Sequence, residues 1–268
     1  MDTSMNFIDA PIMDRGLGYA EACFETFRVI NGQIFAWTAH MNRLTTGLEA
    51  FGLSLSAGQT HEIQEQCVAR AATAGSDVLM RITVSGGSAE WGLMRKGDGL
   101  NVYMQAIPLV SAGSPLKSLS LRTWPFPLRS RQAKFVGDYG DTLRALQGMP
   151  DANVLFVSEG VLLGAATANI LLYRRGQWWT PDGSGVLPGV LRGHLLESGF
   201  LRPAKCPLDW MHDAEAVLLS NCGMFLQPVR DLISDEKVIG MYDFNHEAIA
   251  ELVSSLRGLP GVPVGLEE

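Results

Sequence analysis

The chain has 268 residues, 47% of them hydrophobic and 18% charged, which supplies a packed core for one large domain or two smaller ones and excludes a disordered chain. Its formal net charge of -7 argues against a general attraction to nucleic acid or anionic lipid, both of which need a surplus of Lys and Arg on one face. Cys23, Cys67, Cys206 and Cys222 lack paired CxxC spacing, and no apolar run nears the roughly 18 residues of a membrane span, so the expectation is a soluble, unexported protein of a reducing cytoplasm with small-molecule or protein partners.

Residues 22–30 and 33–37 are rich in β-branched and aromatic side chains and are separated by Asn31-Gly32, which predicts a hairpin. Met41, Leu44, Leu48 and Phe51 recur at helical spacing and predict an amphipathic helix over 38–51, ended by Gly52. A second helix is expected over 57–74, then strands over 78–85 and 100–107 with a Gly-rich loop, 86–99, between them. The Pro, Ser and Gly residues after Pro108 mark a linker over 109–117 between domains at 1–108 and 118–268. Beyond it, strands are expected at 118–124, 153–158, 168–173 and 215–219, and helices at 138–147, 189–198 and 245–257. This interspersed order predicts an α+β protein without a clean parallel alternation.

Five lysines narrow the search for an amine nucleophile: Lys96, Lys117, Lys134, Lys205 and Lys237. Lys134 follows a small residue and precedes Phe135, Val136 and Tyr139, a setting in which a partly desolvated amine loses basicity. Taken alone, it still reads first as an exposed lysine at a strand end. Pro188 and Gly189 stand before an apolar-periodic helix, so the amides of Val190 and Leu191 are free first-turn donors for an anion, or an ordinary helix start. Ser220, Asn221 and Cys222 end the strand AVLLSN in a comparable turn. Arg43 lies on the helix after the hairpin, where a guanidinium binds phosphate or carboxylate or is simply solvated. On the first strand Glu25 and Thr26 must face opposite ways. The five histidines show no metal-ligand spacing, so no metal is expected and no histidine is given a role. No G-x-S-x-G elbow, phosphate-binding G-x-x-x-x-G-K-[ST] loop or G-x-G-x-x-G fingerprint is present.

Order along the chain narrows these alternatives. DRGLGYAEACFETFRVINGQIFAWTAHMNRLTTGL, AKFVGDY, ATANILL, TPDGSGVLPGVLRGHLLE and AEAVLLSNCGMFLQPVRDL together resemble, in sequence order, the signature blocks of class IV aminotransferases, the fold-type IV pyridoxal-phosphate enzymes. The resemblance implies a two-domain fold like that of D-amino acid aminotransferase, with a small α/β N-terminal domain and a larger, mixed, β-barrel-like C-terminal domain. It also implies a homodimer and pyridoxal 5'-phosphate as cofactor. Lys134 would carry the cofactor and, once freed, move protons. Tyr139 and Asn169 would lie beside it, Arg43 with the amides of Val190 and Leu191 would hold its phosphate, Ser220 and Asn221 would complete the cradle, and Thr26 would face the substrate. Asn221 in LLSNCGMFLQPV resembles aminodeoxychorismate lyases, where other members carry a Ser/Thr-Gly-Thr turn. The implied reaction therefore converts 4-amino-4-deoxychorismate to 4-aminobenzoate and pyruvate for folate synthesis. The alternatives are a branched-chain or D-amino acid aminotransferase, and a repurposed relative with weak or no cofactor binding. The last is motivated by Gly164, which stands where the family places the glutamate that pairs with the pyridine nitrogen; Glu159, ten residues before Asn169, is not expected to replace it.

Overall fold

The computed structural model describes residues 10, 12–109, 119–126, 131–147, 153–234 and 237–263. Its first half runs β1 (Ile12–Asp14), α1 (Arg15–Tyr19), β2 (Ala22–Ile30), β3 (Gln33–Ile34), α2 (Trp37–Glu49), α3 (Ala57–Ala74), β4 (Asp77–Ser85), β5 (Ser88–Glu90) and β6 (Asn101–Pro108). Asn31 and Gly32 both take positive φ, 49° and 76°, so the hairpin turns with the hand that matches strand twist. The second strand of that hairpin is shorter than the expected 33–37: Ala36 is left-handed and Trp37 already begins α2. That helix closes at Glu49, before the expected 51, and the chain turns through Gly52. α3 begins on a capping box between Ser56 and Gln59.

β3, β2, β4 and β6 form an antiparallel sheet in that order. Strand alternation sends Cys23, Phe27 and Val29, with Val78, Met80, Ile82 and Val84, into one core with Met41, Leu44 and Leu48 of α2 and Ile63, Cys67 and Ala71 of α3. Phe24, Thr26 and Arg81 are left for the other face. The supposed loop 86–99 contains β5, which pairs with β1.

The second half holds β7 (Leu119–Pro125), α4 (Tyr139–Leu146), β8 (Asn153–Ser158), β9 (Val161–Ala165), β10 (Asn169–Arg174), β11 (Gln177–Pro181), α5 (Val190–Glu197), β12 (Leu201–Ala204), β13 (Ala216–Asn221), β14 (Phe225–Ser234), β15 (Lys237–Met241) and α6 (Glu247–Leu256). Its sheet runs β12-β11-β10-β13-β14-β7-β8-β9, with β15 paired to β14. The pairs β11–β12, β14–β7 and β7–β8 are parallel and the others antiparallel, which makes the whole a mixed α+β fold. The expected barrel-like domain is an open, curled sheet that does not close among the described residues. β9 comes back beside β10 and β11, but Leu162 N–H donates to Cys206 O at 2.9 Å and Val161 bridges Pro207, so a loop occupies the edge that closure would need. β9, β11, β12, β14 and β15, like β1, α1 and β5, carry no clear sequence signal. They are short or contain proline: Pro203 sits on the edge strand β12, and Pro228 on β14 lies just ahead of Val229, where pairing with β7 begins.

Of the expected linker 109–117, only Leu109 lies among the described residues. The largest apolar core is continuous across the two halves, joining Phe27 and Leu44 to Leu191, Leu218, Phe225 and Leu252.

Candidate active site

β4 pairs with the whole of β2 on one side, whereas β3 on the other covers only Val29 and Ile30. The start of that edge is taken by the segment around Lys134: Phe24 N–H donates to Lys134 O at 3.0 Å and Cys23 bridges Phe135. The lysine is thus anchored through its own backbone to the central strand of the first sheet. Its Nζ lies 5.4 Å from the centroid of the buried Phe24 ring. Burial, reinforced by the Arg43 cation, lowers the amine from 10.5 to about 8.

Glu25 faces the opposite way, toward α2, and is fully buried. Its Oε1 accepts from Arg43 Nε at 2.7 Å, and its Oε2 is 2.6 Å from Arg43 Nη2 and 2.7 Å from His40 Nδ1. Burial would raise this carboxyl, but Arg43 and the His40 bond overcome it and hold it at about 2. Arg43 Nη1 also donates to Pro188 O at 2.8 Å, which ties α2 to the start of α5.

That start is a socket. Gly189 caps α5 in an extended conformation with no side-chain cap, so the amides of Val190 and Leu191 lie in the first turn, where no helical acceptor exists. Asn169 and Ser220 face each other across β10 and β13. Asn169 Nδ2 donates to Leu187 O at 2.9 Å, and a Cβ at position 189 would overlap Asn169 Oδ1, so only glycine lets the helix start approach β10 this closely. Asn221 Oδ1 accepts from Gly223 N and Met224 N, each at 2.8 Å, and its Nδ2 donates to Thr167 O at 3.0 Å, which fixes the turn after β13. Cys222 adds a thiol that burial pushes up to about 11. Two buried polar atoms in this socket, His40 Nε2 and Ser220 Oγ, have no partner among the described residues.

Thr26, Arg43, Lys134, Asn169, Val190, Leu191, Ser220 and Asn221, all singled out in the sequence, line this socket together. Tyr139 lines an adjoining cavity of about 430 Å³ that shares Thr26, Lys134, Thr167 and Asn221 with it. Its ring stands edge-on to Phe24 at 5.0 Å. Sequence reasoning missed three members: Glu25 as an ionic anchor, His40, and Arg81, whose guanidinium carbon lies 3.7 Å from the Phe24 centroid in the larger cavity and has no acidic partner among the described residues. His40 and Arg43 stand three apart on one helix face, a signal that was present.

Gly164 is buried in β9 with φ +151°, a conformation that disfavours any side chain. Glu159 is exposed on the turn before β9 and lines neither cavity.

The sequence profile of the family described as amino-transferase class IV matches residues 22–232. A Schizosaccharomyces pombe protein provisionally named an aminodeoxychorismate lyase is 24% identical over 217 residues, 74% of this chain and 84% of its own length. A crystal structure from Legionella pneumophila, provisionally named a 4-amino-4-deoxychorismate lyase, superposes with a TM-score of 0.76 at 22% identity over 95% of this chain and 96% of that one. A Mycobacterium tuberculosis protein described as a hypothetical aminotransferase, in its PLP-bound form, superposes with a TM-score of 0.75 at 19% identity, covering 95% and 94%. These likenesses carry the fold-type IV architecture.

Proposed function

The chain belongs to the class IV aminotransferase family, and from that premise we propose a pyridoxal-phosphate enzyme that converts 4-amino-4-deoxychorismate to 4-aminobenzoate and pyruvate. One observation carries the reading. The cavities that meet at Lys134 are walled by Arg43, Arg81, Arg192 and Lys134 and, among the described residues, by no Asp or Glu; Glu25 and Asp182 pair with Arg43 and Arg192 from outside the lining, which leaves Arg81 and Lys134 to face a ligand. A cationic, acid-free wall suits a substrate that brings two carboxylates. It also offers the cofactor's ring nitrogen no carboxylate, as expected from Gly164, and transamination leans on that partner more than a lyase step that expels pyruvate and gains an aromatic ring.

The residues fit the cofactor. The first turn of α5 and the unpartnered Ser220 Oγ and His40 Nε2 meet the need of its phosphate for fixed polar groups, and Lys134 is the amine. When bound, the cofactor supplies an electron sink for the bonds broken in the substrate. Lys134, lowered to about 8, keeps about a tenth of its amine unprotonated at pH 7 and takes the ring proton. Thr26, between socket and cavity, assists that transfer. Arg81 holds a substrate carboxylate over Phe24, and Tyr139 buttresses the same ring. Arg43, locked to Glu25, contributes a fixed positive charge to the phosphate. The family resemblance further supports a homodimer and a division into domains at 1–108 and 118–268, the proposed reaction implies a place in folate synthesis, and the four free cysteines suit a cytoplasmic setting.

The test is direct. Cofactor-loaded protein given aminodeoxychorismate is expected to release pyruvate and 4-aminobenzoate in equal amounts, read by a lactate dehydrogenase couple and by fluorescence. Absence of both products would defeat the lyase reading. A second reading, amino transfer from a branched-chain or D-amino acid, draws on the same Lys134 with Arg81 as carboxylate ligand, and amino-acid-dependent consumption of a 2-oxo acid would favour it. A third, a repurposed relative, draws on Gly164, and protein that stays colourless with added cofactor would favour that.

A further inference from the structure

We propose that His40 is a proton-linked ligand of the anion in the α5 socket, so that a phosphate monoester bound there carries one proton more than the free dianion and the empty protein together. This rests on reading the socket as a phosphate site. Glu25 is fully buried, with Oε1 on Arg43 and Oε2 on both Arg43 and His40. An ionised carboxylate only accepts, so His40 Nδ1 carries the proton in the bond to it. A neutral ring then presents a bare lone pair at Nε2, the nitrogen that is buried without a partner while His40 lines the socket. A lone pair repels a phosphate oxygen; a proton placed between them converts the contact into a charge-assisted hydrogen bond. Solvent supplies that proton, because a phosphate monoester, with its second pKa near about 6, is mostly dianionic at neutral pH.

The other groups facing His40 and the socket do not substitute for it. Arg43, on its own helix, is a permanent cation bound to Glu25 and Pro188 O. Arg192 of α5 is bound to Thr180 Oγ1, Pro181 O and Asp182. Cys222, at the end of β13, stays a thiol because burial pushes it up to about 11. Lys134, beside β2, is lowered to about 8, so at pH 7 it is already about nine-tenths protonated and has little left to take up. Burial, outweighing the bond to Glu25, lowers His40, so the empty site holds it neutral at that pH. Ser220 Oγ, the second unpartnered atom, donates to the anion without titrating.

The experiment titrates the protein with pyridoxine 5'-phosphate, which has the phosphate tail and no aldehyde to condense with Lys134. Calorimetry at pH 7 in two buffers of different ionisation heat gives the protons taken up per ligand. The expected value is about one for the native protein and near zero for His40→Gln, which keeps a donor at the Nε2 position without a titrating ring. Independently of that variant's folding, a spectrum of native protein labelled with [15N]histidine is expected to show one of the five rings doubly protonated only when ligand is bound. Tight binding with no proton uptake, uptake that survives His40→Gln, or a ring that stays singly protonated overturns the role of His40 and leaves the phosphate socket standing. Failure of pyridoxine 5'-phosphate to bind at all overturns both.

Discussion

Replacing Glu25 by Gln keeps the shape of the side chain and removes the one charge that neutralises Arg43 in the interior. Two routes give its cost. Breaking one partner of a buried ion pair costs about 3–5 kcal/mol. The displacement of the Glu25 carboxyl from 4.5 to about 2 corresponds to roughly 3 kcal/mol, at about 1.4 kcal/mol per tenfold change in proton affinity. Because the folded-state value is the lower one, this contribution is complete above pH 4.5 and is lost as pH falls toward 2. Urea unfolding followed by far-UV circular dichroism is therefore expected to show Glu25→Gln about 3 kcal/mol less stable than the native protein at pH 7. The gap should narrow as pH falls below 4.5. A loss under about 1 kcal/mol, or a gap that does not change between neutral and acid pH, would mean that the Glu25–Arg43–His40 cluster does not hold α2 against the first sheet as described.

Gly189→Ala is expected to push Asn169 off Leu187 O and cost about 1–3 kcal/mol of stability, with weaker cofactor binding, measured by thermal unfolding and absorbance titration. Condensation of the protein with pyridoxal 5'-phosphate should accelerate with pH through about 8, where half of the Lys134 amine is unprotonated, level off only as the remaining half loses its proton, and vanish in Lys134→Ala. Gly164→Glu, which restores the carboxylate in sequence, is expected to destabilise by about 1–3 kcal/mol because the residue sits at φ +151° with its Cβ 3.1 Å from Ala168 O; a chemical denaturation curve reads this. Arg81→Gln should lower kcat/KM for the dicarboxylate substrate by about tenfold or more while leaving the melting temperature close to native, as steady-state kinetics and calorimetry would show.

Much of the fold could be read from local pattern where one face is buried and the other wet. The Asn31-Gly32 hairpin, α2, α3 and the runs that became β4, β8 and β13 all carry their own period or turn chemistry. β12 and β14 were hidden because Pro203 and Pro228 argue against a strand unless the pairing on each side is known, and β1 and β5 because three residues show no period. The site divides in the same way. Lys134 and the Pro188-Gly189 helix start stand out by scarcity and by position, and the ordered blocks joined them. Glu25, His40 and Arg81 look ordinary in sequence. Their roles arise only when β2 meets α2 across 15 and 18 residues and when β4 sets Arg81 opposite Thr26. Strand alternation did show that Glu25 and Thr26 part company; it did not show what waits on either side.

The central claim is that the Lys134 amine condenses with the cofactor above the α5 socket. Protein loaded with pyridoxal 5'-phosphate, reduced with borohydride, digested and mapped by mass spectrometry should carry the cofactor on Lys134, with Lys96, Lys117, Lys205 and Lys237 unmodified. A cofactor fixed on one of those four instead, or on none of the five, contradicts it.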